Sequence, residues 1–188
     1  MYKRQVPYRK RPGHLRKFRE SISEYLKDIQ YELIVVEQAD DLPFNRGKLL
    51  NIGFKTAMRK LCDYVVFHDI DMLPKDVDYS YSDVPLHLAT NFTNSNREIF
   101  NTYFGGVTMF PSPTFKRVNG FSNEYWGWGF EDDDFTLRAT LAGYQLRVAK
   151  DCFIRHIGSQ TAHSAKLNYQ NLLVRFYLLD RPGSVKRN

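Results

Sequence analysis

The sequence of 188 residues has few cysteines and no long apolar segment. Its two cysteines, Cys62 and Cys152, cannot form a disulfide framework, so we expect two reduced thiols and a reducing compartment, the cytoplasm. No run approaches the roughly 18 apolar residues that predict a transmembrane helix. The basic first residues lack an apolar core, which argues against a secretory signal peptide. Because no repeat or linker is visible either, residues 1–188 are predicted to form a single domain.

Aromatic residues and basic charge are abundant instead. A hydrophobic fraction of 43% and an aromatic fraction of 15% are typical of a folded domain with a substantial core. The net charge is +6, and much of the excess lies early in the chain, at Lys3, Arg4, Arg9, Lys10, Arg11, Arg16, Lys17 and Arg19. Such a cluster suits nucleic acid, an anionic membrane surface or the phosphates of a small ligand, although we expect most of these side chains simply to face solvent.

Hydrophobic periodicity predicts alternating helices and strands. Helices are predicted at residues 15–29, 45–62, 112–118 and 132–142, the last ended by Gly143. Strands are predicted at residues 31–38, 63–71, 86–90, 103–110 and 144–149, with Pro74 expected to stop the second of them. This order indicates an α/β fold with a Rossmann-like, mostly parallel sheet flanked by helices. In such sheets ligands bind beyond the carboxyl ends of the strands.

Two carboxylates, Asp69 and Asp71, lie at the end of the predicted strand 63–71. Residues two apart in a strand share a face, so both carboxylates should point into one space while Ile70 faces the core. Two such groups repel each other unless a cation lies near them. A divalent ion whose coordination is completed by substrate phosphates would meet that need. The alternative is an acidic pair that faces water.

The segment YWGWGFEDDDF places two tryptophans and two glycines before four acidic residues. Glycine permits close backbone approach, and the faces of Trp126 and Trp128 can stack on a sugar ring. The acidic residues, Glu131 to Asp134, are favoured in the first turn of a helix by the macrodipole. One carboxylate beside an apolar wall can act as a general base for a hydroxyl group. The alternative is an acidic helix start with two core tryptophans.

A histidine follows the last predicted strand. His156 is a candidate ligand for a transition metal, because neutral imidazole is a common ligand for such ions. A lone histidine more often has a structural role. The metal-ligand hypothesis for His156 is favoured only if His156 lies beside Asp71. His163, seven residues further on, is a weaker candidate.

Six segments together resemble the β-1,4-galactosyltransferase family. They are VPYRKRPGHL, FNRGKLLNIGF, VVFHDIDMLP, YFGGVTMF, NGFSNEYWGWGFEDDDF and IRHIGSQ, spread over residues 6–160. The form His68-Asp69-Ile70-Asp71 is most similar to the subgroup that galactosylates xylose in proteoglycan linkers. The resemblance implies a GT-A fold, one catalytic domain, inverting transfer from UDP-galactose to a sugar acceptor, a β-1,4 linkage and dependence on Mn2+.

The resemblance also implies roles for individual residues. The residues that match the donor site are Pro7, Tyr8, Arg9, Arg11, Phe44, Asn45, Arg46, Asp69, Gly106 and Trp128. Trp128 is expected on a loop that closes over the donor and also contacts the acceptor. Asp132 matches the catalytic base, with Glu131 and Asp133 beside it for the acceptor. Tyr103 matches a residue that narrows the pocket at C2 of the transferred sugar, which favours galactose.

The expected metal ligands are Asp71 and His156, and the third protein ligand departs from the family pattern. Many members carry methionine three residues before the histidine, where this chain has Phe153. The xylose subgroup uses a second histidine where this chain has Gly158. His163 or water is therefore expected to complete the set. The stem and membrane anchor of the family are also missing, which predicts a compact soluble form, or a Golgi location if this is the catalytic part of a longer protein.

Three alternatives stay open at this stage. A related enzyme could transfer GalNAc or GlcNAc from its UDP-sugar during polysaccharide or capsule synthesis. A non-enzymatic relative could bind sugars, although it would not need Asp132 and both Asp69 and Asp71. A basic nucleic-acid-binding module would place basic residues around its aromatic platform, whereas acidic residues surround this one, so no nucleic-acid partner is expected.

Overall fold

A computed structural model describes residues 2–93 and 104–158 of the chain. The helices are α1 (Pro12–Tyr25), α2 (Arg46–Ala57), α3 (Ser112–Arg117) and α4 (Glu131–Leu141). The strands are β1 (Tyr2–Tyr8), β2 (Tyr31–Glu37), β3 (Tyr64–His68), β4 (Met72–Asp76), β5 (Leu86–His87), β6 (Asn91–Phe92), β7 (Val107–Pro111), β8 (Arg147–Val148) and β9 (Phe153–His156). Over the described ranges, none of the helices has the length and apolarity needed to span a membrane.

Six strands form the main sheet, in the order β2-β1-β3-β7-β5-β8. Strands β1, β2 and β3 are parallel, β7 is antiparallel to both β3 and β5, and β8 is parallel to β5. Five of the six strands therefore point the same way and β7 alone is reversed. The prediction of an α/β fold with a mostly parallel sheet is confirmed. Because β1, β2 and β3 are parallel, their carboxyl ends lie at one edge of the sheet.

A second sheet, which the sequence did not predict, has the order β4-β9-β6. Pro74 was expected to stop a strand, but it lies inside β4. Proline is accepted there because β4 is an edge strand, where a missing N–H breaks no necessary ladder bond. The antiparallel pairing of β4 with β9 aligns Met72 with His156, which brings the segment after β3 next to the candidate metal-ligating histidine.

Strand β1 was also missed, because its sequence YKRQVPY looks like part of a basic surface. The expectation of solvated side chains is wrong for Lys3 and Arg4, both of which are 0% exposed. Lys3 Nζ donates a 2.7 Å hydrogen bond to the Ala57 carbonyl and lies 3.2 Å from the Glu32 carboxylate. The Arg4 guanidinium lies 4.0 Å from the ring centroid of Tyr79. Long basic side chains can thus belong to a central strand when each finds a partner.

The core has two parts, one on each side of the main sheet. One part packs α1 against the sheet through Phe18 and Ile22, which are both fully buried. The other is rich in phenylalanine and packs α2, α3 and α4 against β3 and β7 through Leu50, Phe54, Phe67, Phe110, Phe115, Phe121 and Phe135. Each such side chain contributes about 1.5–3 kcal/mol of burial free energy. The core therefore fixes the starts of α2 and α4 relative to the sheet edge.

Candidate active site

The starts of α2 and α4 meet the end of β3 at one edge of the main sheet. Asn45 caps α2 with its side chain, which accepts a 2.9 Å hydrogen bond from the Lys48 amide. Helix α4 begins with the four consecutive acidic residues, one residue earlier than predicted, and follows Phe130 in the left-handed region at φ 71°. The first turn of each helix therefore presents charged side chains toward the same space.

Arg46, at the start of α2, connects the two acidic segments. Its Nε donates a 2.7 Å hydrogen bond to Asp69 Oδ1, and its Nη1 donates a 2.9 Å hydrogen bond to Asp132 Oδ1. The same Nη1 lies 3.6 Å from Glu131 Oε1. Arg46 and Asp132 are both 8% exposed. A buried guanidinium therefore holds the expected donor-facing carboxylate and the expected base in one network.

Burial decides the proton affinity of these carboxylates. Desolvation raises the pKa of Asp132 well above its ordinary value, although the charge of Arg46 acts in the opposite direction. Burial likewise raises the pKa of Glu131 and of Asp69, again against the effect of Arg46. Asp133 is exposed, and partial desolvation still raises its pKa. A carboxylate with a raised pKa is a stronger base, which suits Asp132 for accepting a proton from a hydroxyl group.

Asp69 and Asp71 lie in a turn, so the strand geometry assumed from the sequence is wrong. Strand β3 ends at His68, and the Met72 amide donates a 3.1 Å hydrogen bond to the Asp69 carbonyl, which closes the turn. Ile70 faces the core with 3% exposure, as expected. The Asp69 amide donates a 2.8 Å hydrogen bond to the carbonyl of Gly106, whose φ is 69°. Gly106 therefore helps to hold this turn, a role that the sequence did not show.

Asp71 and His156 come together as predicted. His156 Nε2 lies 3.9 Å from Asp71 Oδ2, and the Asp71 carbonyl accepts a 2.8 Å hydrogen bond from the Ile157 amide. Arg11 Nη2 donates a 3.0 Å hydrogen bond to the same Asp71 Oδ2. Arg11 was expected to bind the donor, and its contact with the carboxylate expected to bind a metal was not foreseen.

Gly158 leaves a small space beside these two groups. A Cβ built on Gly158 would collide with Asp71 Oδ2 and would lie 3.0 Å from His156 Nε2. A carboxylate oxygen and an imidazole nitrogen form a donor set that suits a divalent ion such as Mn2+. Among residues 2–93 and 104–158, no group of three or more His, Cys, Asp or Glu side chains is placed to hold a metal. Asp71 and His156 are therefore two candidate ligands, and the third candidate, His163, lies outside the described residues.

The residues matched to the nucleotide-binding part of the family line the ends of β1 and β2. Pro7 and Tyr8 are the last residues of β1, and the Tyr8 carbonyl accepts a 2.9 Å hydrogen bond from the Gln38 amide. The Arg9 guanidinium lies 5.5 Å from the ring centroid of Phe44 and donates a hydrogen bond to the Leu42 carbonyl. An arginine beside an aromatic ring forms a flat surface on which a nucleobase could stack.

The tryptophan loop, residues 125–130, joins this surface to the acidic network. The Gly127 amide donates a 2.7 Å hydrogen bond to the Phe44 carbonyl, and Asn45 Nδ2 donates one of the same length to the Asn123 carbonyl. Gly127 and Gly129 have φ values of 82° and 99°, which glycine adopts without strain. Trp128 between them is 52% exposed. Hydrogen bonds thus hold the start of the loop in place, while the side chain of Trp128 is half exposed.

The structure gathers nearly all of the predicted site residues at one edge, but Tyr103 lies outside the described residues. Sequence reasoning missed that Arg46 contacts Asp132, that Arg11 contacts Asp71 and that Gly158 leaves space at His156. The resemblance implied a donor-binding role for Arg46, and neither that role nor its position in the predicted helix of FNRGKLL pointed to the contact with Asp132. Contacts between residues far apart in the chain leave no spacing pattern in a single sequence.

Known proteins match this arrangement along most of the chain. Residues 5–83 match the model described as the N-terminal region of glycosyl transferase group 7, and residues 86–163 match the model described as the N-terminal domain of galactosyltransferase. The xylosylprotein 4-beta-galactosyltransferase of Caenorhabditis elegans is 36% identical over 71% of this chain and 48% of its own length. Beta-1,4-galactosyltransferase 5 of Danio rerio is 37% identical over 94% of this chain and 47% of its own length.

A solved structure agrees with these matches. The catalytic domain of Drosophila beta-1,4-galactosyltransferase 7, in complex with xylobiose, superposes with a TM-score of 0.76 and 31% identity over 89% of this chain and 79% of that one. A mutant of the same Drosophila protein, solved with manganese, UDP-Gal and xylobiose, gives a TM-score of 0.74 at 28% identity, with the same coverage of both chains. The chain spans about half the length of the curated relatives that it matches. It has the GT-A fold and belongs to the β-1,4-galactosyltransferase family.

Proposed function

We propose that this chain is a metal-dependent, inverting glycosyltransferase that moves galactose from UDP-galactose to a sugar hydroxyl and forms a β-1,4 linkage. The observation that carries the proposal is Arg46, which contacts Asp69 and Asp132 at 2.7 and 2.9 Å. One residue thereby fixes the distance between the donor-facing carboxylate and the base. Inversion by a single displacement needs one base on the acceptor side of the reacting carbon, and a carboxylate held in place by Arg46 suits that role.

The chain's own residues supply most of the chemistry. The surface formed by Arg9 and Phe44 would bind the nucleobase, and Asp132 would accept the proton of the attacking hydroxyl as the new glycosidic bond forms. Trp128, which faces outward, would cover the reacting groups and exclude water. Asp71 and His156 would hold Mn2+, which when bound supplies Lewis-acid stabilisation to the diphosphate leaving group.

A xyloside is the first acceptor to test. The Drosophila relative was solved with xylobiose, and the C. elegans relative is named as a xylosylprotein transferase. Exposed Asp133 and buried Glu131 flank the base and could accept hydrogen bonds from the acceptor hydroxyls. Transfer of GalNAc or GlcNAc stays the alternative, because Tyr103, expected at the C2 substituent, lies outside the described residues.

A donor screen tests this proposal directly. UDP release would be measured from UDP-galactose, UDP-GalNAc and UDP-GlcNAc, with Mn2+ or with EDTA, on xylobiose, a simple β-xyloside and GlcNAc. We expect release from UDP-galactose that requires both Mn2+ and an acceptor. Preference for an acetamido sugar would overturn the galactose assignment, and full activity in EDTA would overturn metal dependence. Asp132→Asn is the matched inactive control, since it preserves the shape of the site.

We also propose that the chain works in the cytoplasm. Cys62 and Cys152 are free and buried, which suits a reducing compartment. Fractionation of the source cells with an antibody against the chain would test this location, and recovery from a secretory lumen would contradict it.

A further inference from the structure

The turn that carries both acidic residues of the metal and donor site rests on a buried polar group beneath it. His68, the last residue of β3, is 0% exposed. Its Nδ1 lies 3.1 Å from the Asp69 carbonyl, and its Nε2 lies 3.2 Å from the Tyr79 hydroxyl. The mechanism proposed above uses neither His68 nor Tyr79.

The contacts define which ring nitrogen of His68 carries the proton. A carbonyl oxygen only accepts hydrogen bonds, so Nδ1 must donate to Asp69. In a neutral ring Nε2 then has a free lone pair and accepts from the Tyr79 hydroxyl. The Asp69 carbonyl consequently accepts two hydrogen bonds, one from His68 and one from the Met72 amide that closes the turn.

Burial, together with the charge of Arg4, keeps this histidine neutral. Burial lowers the pKa of His68 well below its ordinary value, and the charge of Arg4 lowers it further. The Arg4 guanidinium stacks 4.0 Å from the ring centroid of Tyr79, the same residue whose hydroxyl contacts His68. A protonated His68 would have no lone pair to accept the Tyr79 hydrogen bond, so the arrangement requires the neutral form.

We propose that Arg4, Tyr79 and His68 form an inner polar chain that positions the Asp69–Met72 turn, and thereby Asp71, for metal and donor binding. His68 is a positioning residue, because it acts through the carbonyl of Asp69 and reaches no ligand itself. Asp71 occupies the third position of the turn, so a tilt of the Asp69 carbonyl would move Asp71 relative to His156, 3.9 Å away. The expected effect on metal and donor binding rests on the proposed function. The geometry rests on three contacts: Arg4 with Tyr79, Tyr79 with His68, and His68 with the Asp69 carbonyl.

Three variants of the inner polar chain and one control test the role. His68→Asn keeps a donor close to the position of Nδ1, whereas His68→Phe removes both hydrogen bonds. Tyr79→Phe removes the hydroxyl but retains the ring on which Arg4 stacks. Val66→Ala is the control, because Val66 is fully buried two residues earlier on the same face of β3 and has no polar group.

Calorimetric titration with UDP, in the presence and absence of Mn2+, gives the first readout. We expect His68→Phe to lower the Mn2+-supported affinity about tenfold, the effect of one or two lost buried hydrogen bonds. His68→Asn should stay within about threefold of the wild type, and affinity for UDP alone should be unchanged in every variant. If His68→Phe binds as Val66→Ala does, or if His68→Asn is as weak as His68→Phe, the positioning role is overturned.

Nuclear magnetic resonance of the histidine ring carbons gives a readout that needs no nucleotide. We expect His68 to stay neutral below the ordinary pKa of histidine, with its proton on Nδ1, and the ring signals to shift in Tyr79→Phe, which removes the hydrogen bond to Nε2. A proton on Nε2 would overturn the inner polar chain. If the wild type shows no Mn2+-supported UDP binding, the proposed function fails, and the ring signature alone then decides whether His68 positions the turn.

Discussion

Arg46 Nη1 and Asp132 Oδ1 form a buried ion pair of 2.9 Å, although the two residues are 86 positions apart in the chain. The pair brings the start of α2 to the start of α4, across the edge where β3 ends. Removal of Arg46 would leave the carboxylates of Asp69 and Asp132 without this buried counter-ion, which is costly. This contact therefore matters both for the protonation of Asp132, the proposed base, and for the geometry of the site.

Arg46→Lys should sharply reduce transfer while the chain stays folded. Lysine keeps the charge, but a single ammonium group cannot reproduce the fork that reaches Asp69 and Asp132 together. We expect kcat/KM to fall by about two orders of magnitude, equivalent to about 2.7 kcal/mol. Steady-state kinetics with UDP-galactose would measure it, with exposed Lys55→Arg on the same helix as the control. Activity near that of the control would contradict a bridging role.

Asp132→Asn should leave UDP binding intact and nearly abolish transfer. A general base acts in the transition state, and its loss typically costs 10²–10⁴-fold in rate. UDP affinity in Mn2+ and single-turnover transfer would be measured side by side. Asp133→Asn provides the comparison, because Asp133 is exposed next to the base. A larger rate loss in Asp133→Asn than in Asp132→Asn would reassign the base.

The pH dependence of transfer should follow the raised pKa of Asp132. A base must be deprotonated to act, so the rate should rise with pH until the pH exceeds that raised pKa. The charge of Arg46 lowers the pKa of Asp132, so Arg46→Gln should move the acidic limb of the profile to higher pH. Profiles of kcat for the wild type and this variant would show the shift. An acidic limb that stays in place would separate Arg46 from the ionisation of the base.

Asp71→Asn should remove the support that Mn2+ gives to UDP binding. Asp71 Oδ2 lies 3.9 Å from His156 Nε2, and an amide is a much weaker ligand for a divalent ion. Calorimetry with UDP should show the same affinity with Mn2+ and with EDTA. Asp76→Asn, an exposed change on β4, is the control and should behave as the wild type. Retention of the Mn2+ effect in Asp71→Asn would overturn the assignment.

Stability should fall in acid because of a second buried histidine. Burial lowers the pKa of His87 to about 4, whereas an unfolded histidine titrates near 6.5. The unfolded state therefore binds the extra proton first, and stability is lost as the pH falls from about 6.5 to about 4. The loss attributable to His87 approaches about 3 kcal/mol at the end of that range. Denaturant unfolding of His87→Phe at pH 7 and pH 4.5 should show a smaller loss than in the wild type or in His14→Gln.

Much of the fold could be predicted from the sequence, because apolar periodicity reports burial. The segments that became β2, α2, α3 and α4 had clear patterns, and each is observed within a few residues of its predicted limits. Strand β1 was missed because Lys3 and Arg4 are charged residue types that usually face solvent, whereas here they are buried in a central strand. Strands β4, β6 and β9 were missed because their pairing depends on tertiary contacts, and in β4 also because Pro74 was expected to end a strand.

The candidate site was predictable in its residue types and less so in its connections. The pattern of Asp69 and Asp71 after an apolar strand, and of Asp132 after two tryptophans, identified the acidic groups. The assumption that Asp69 and Asp71 continue β3 failed, because the chain turns at Asp69 to pair β4 with β9. The partner of each charge, such as Arg11 for Asp71, depends on the packing of distant elements.

Pro74 in β4 also affects the tendency of this protein to self-associate. Among the described residues β4 is an edge of the small sheet, and unpaired edges are templates for the addition of strands from other chains. Pro74 offers no N–H group to an incoming strand, the pairing register shifts between Pro74 and Asp76, and Lys75 and Asp76 are exposed charges. These three features disfavour edge-to-edge association, so we expect concentrated solutions of Pro74→Val to form β-rich aggregates sooner than the wild type.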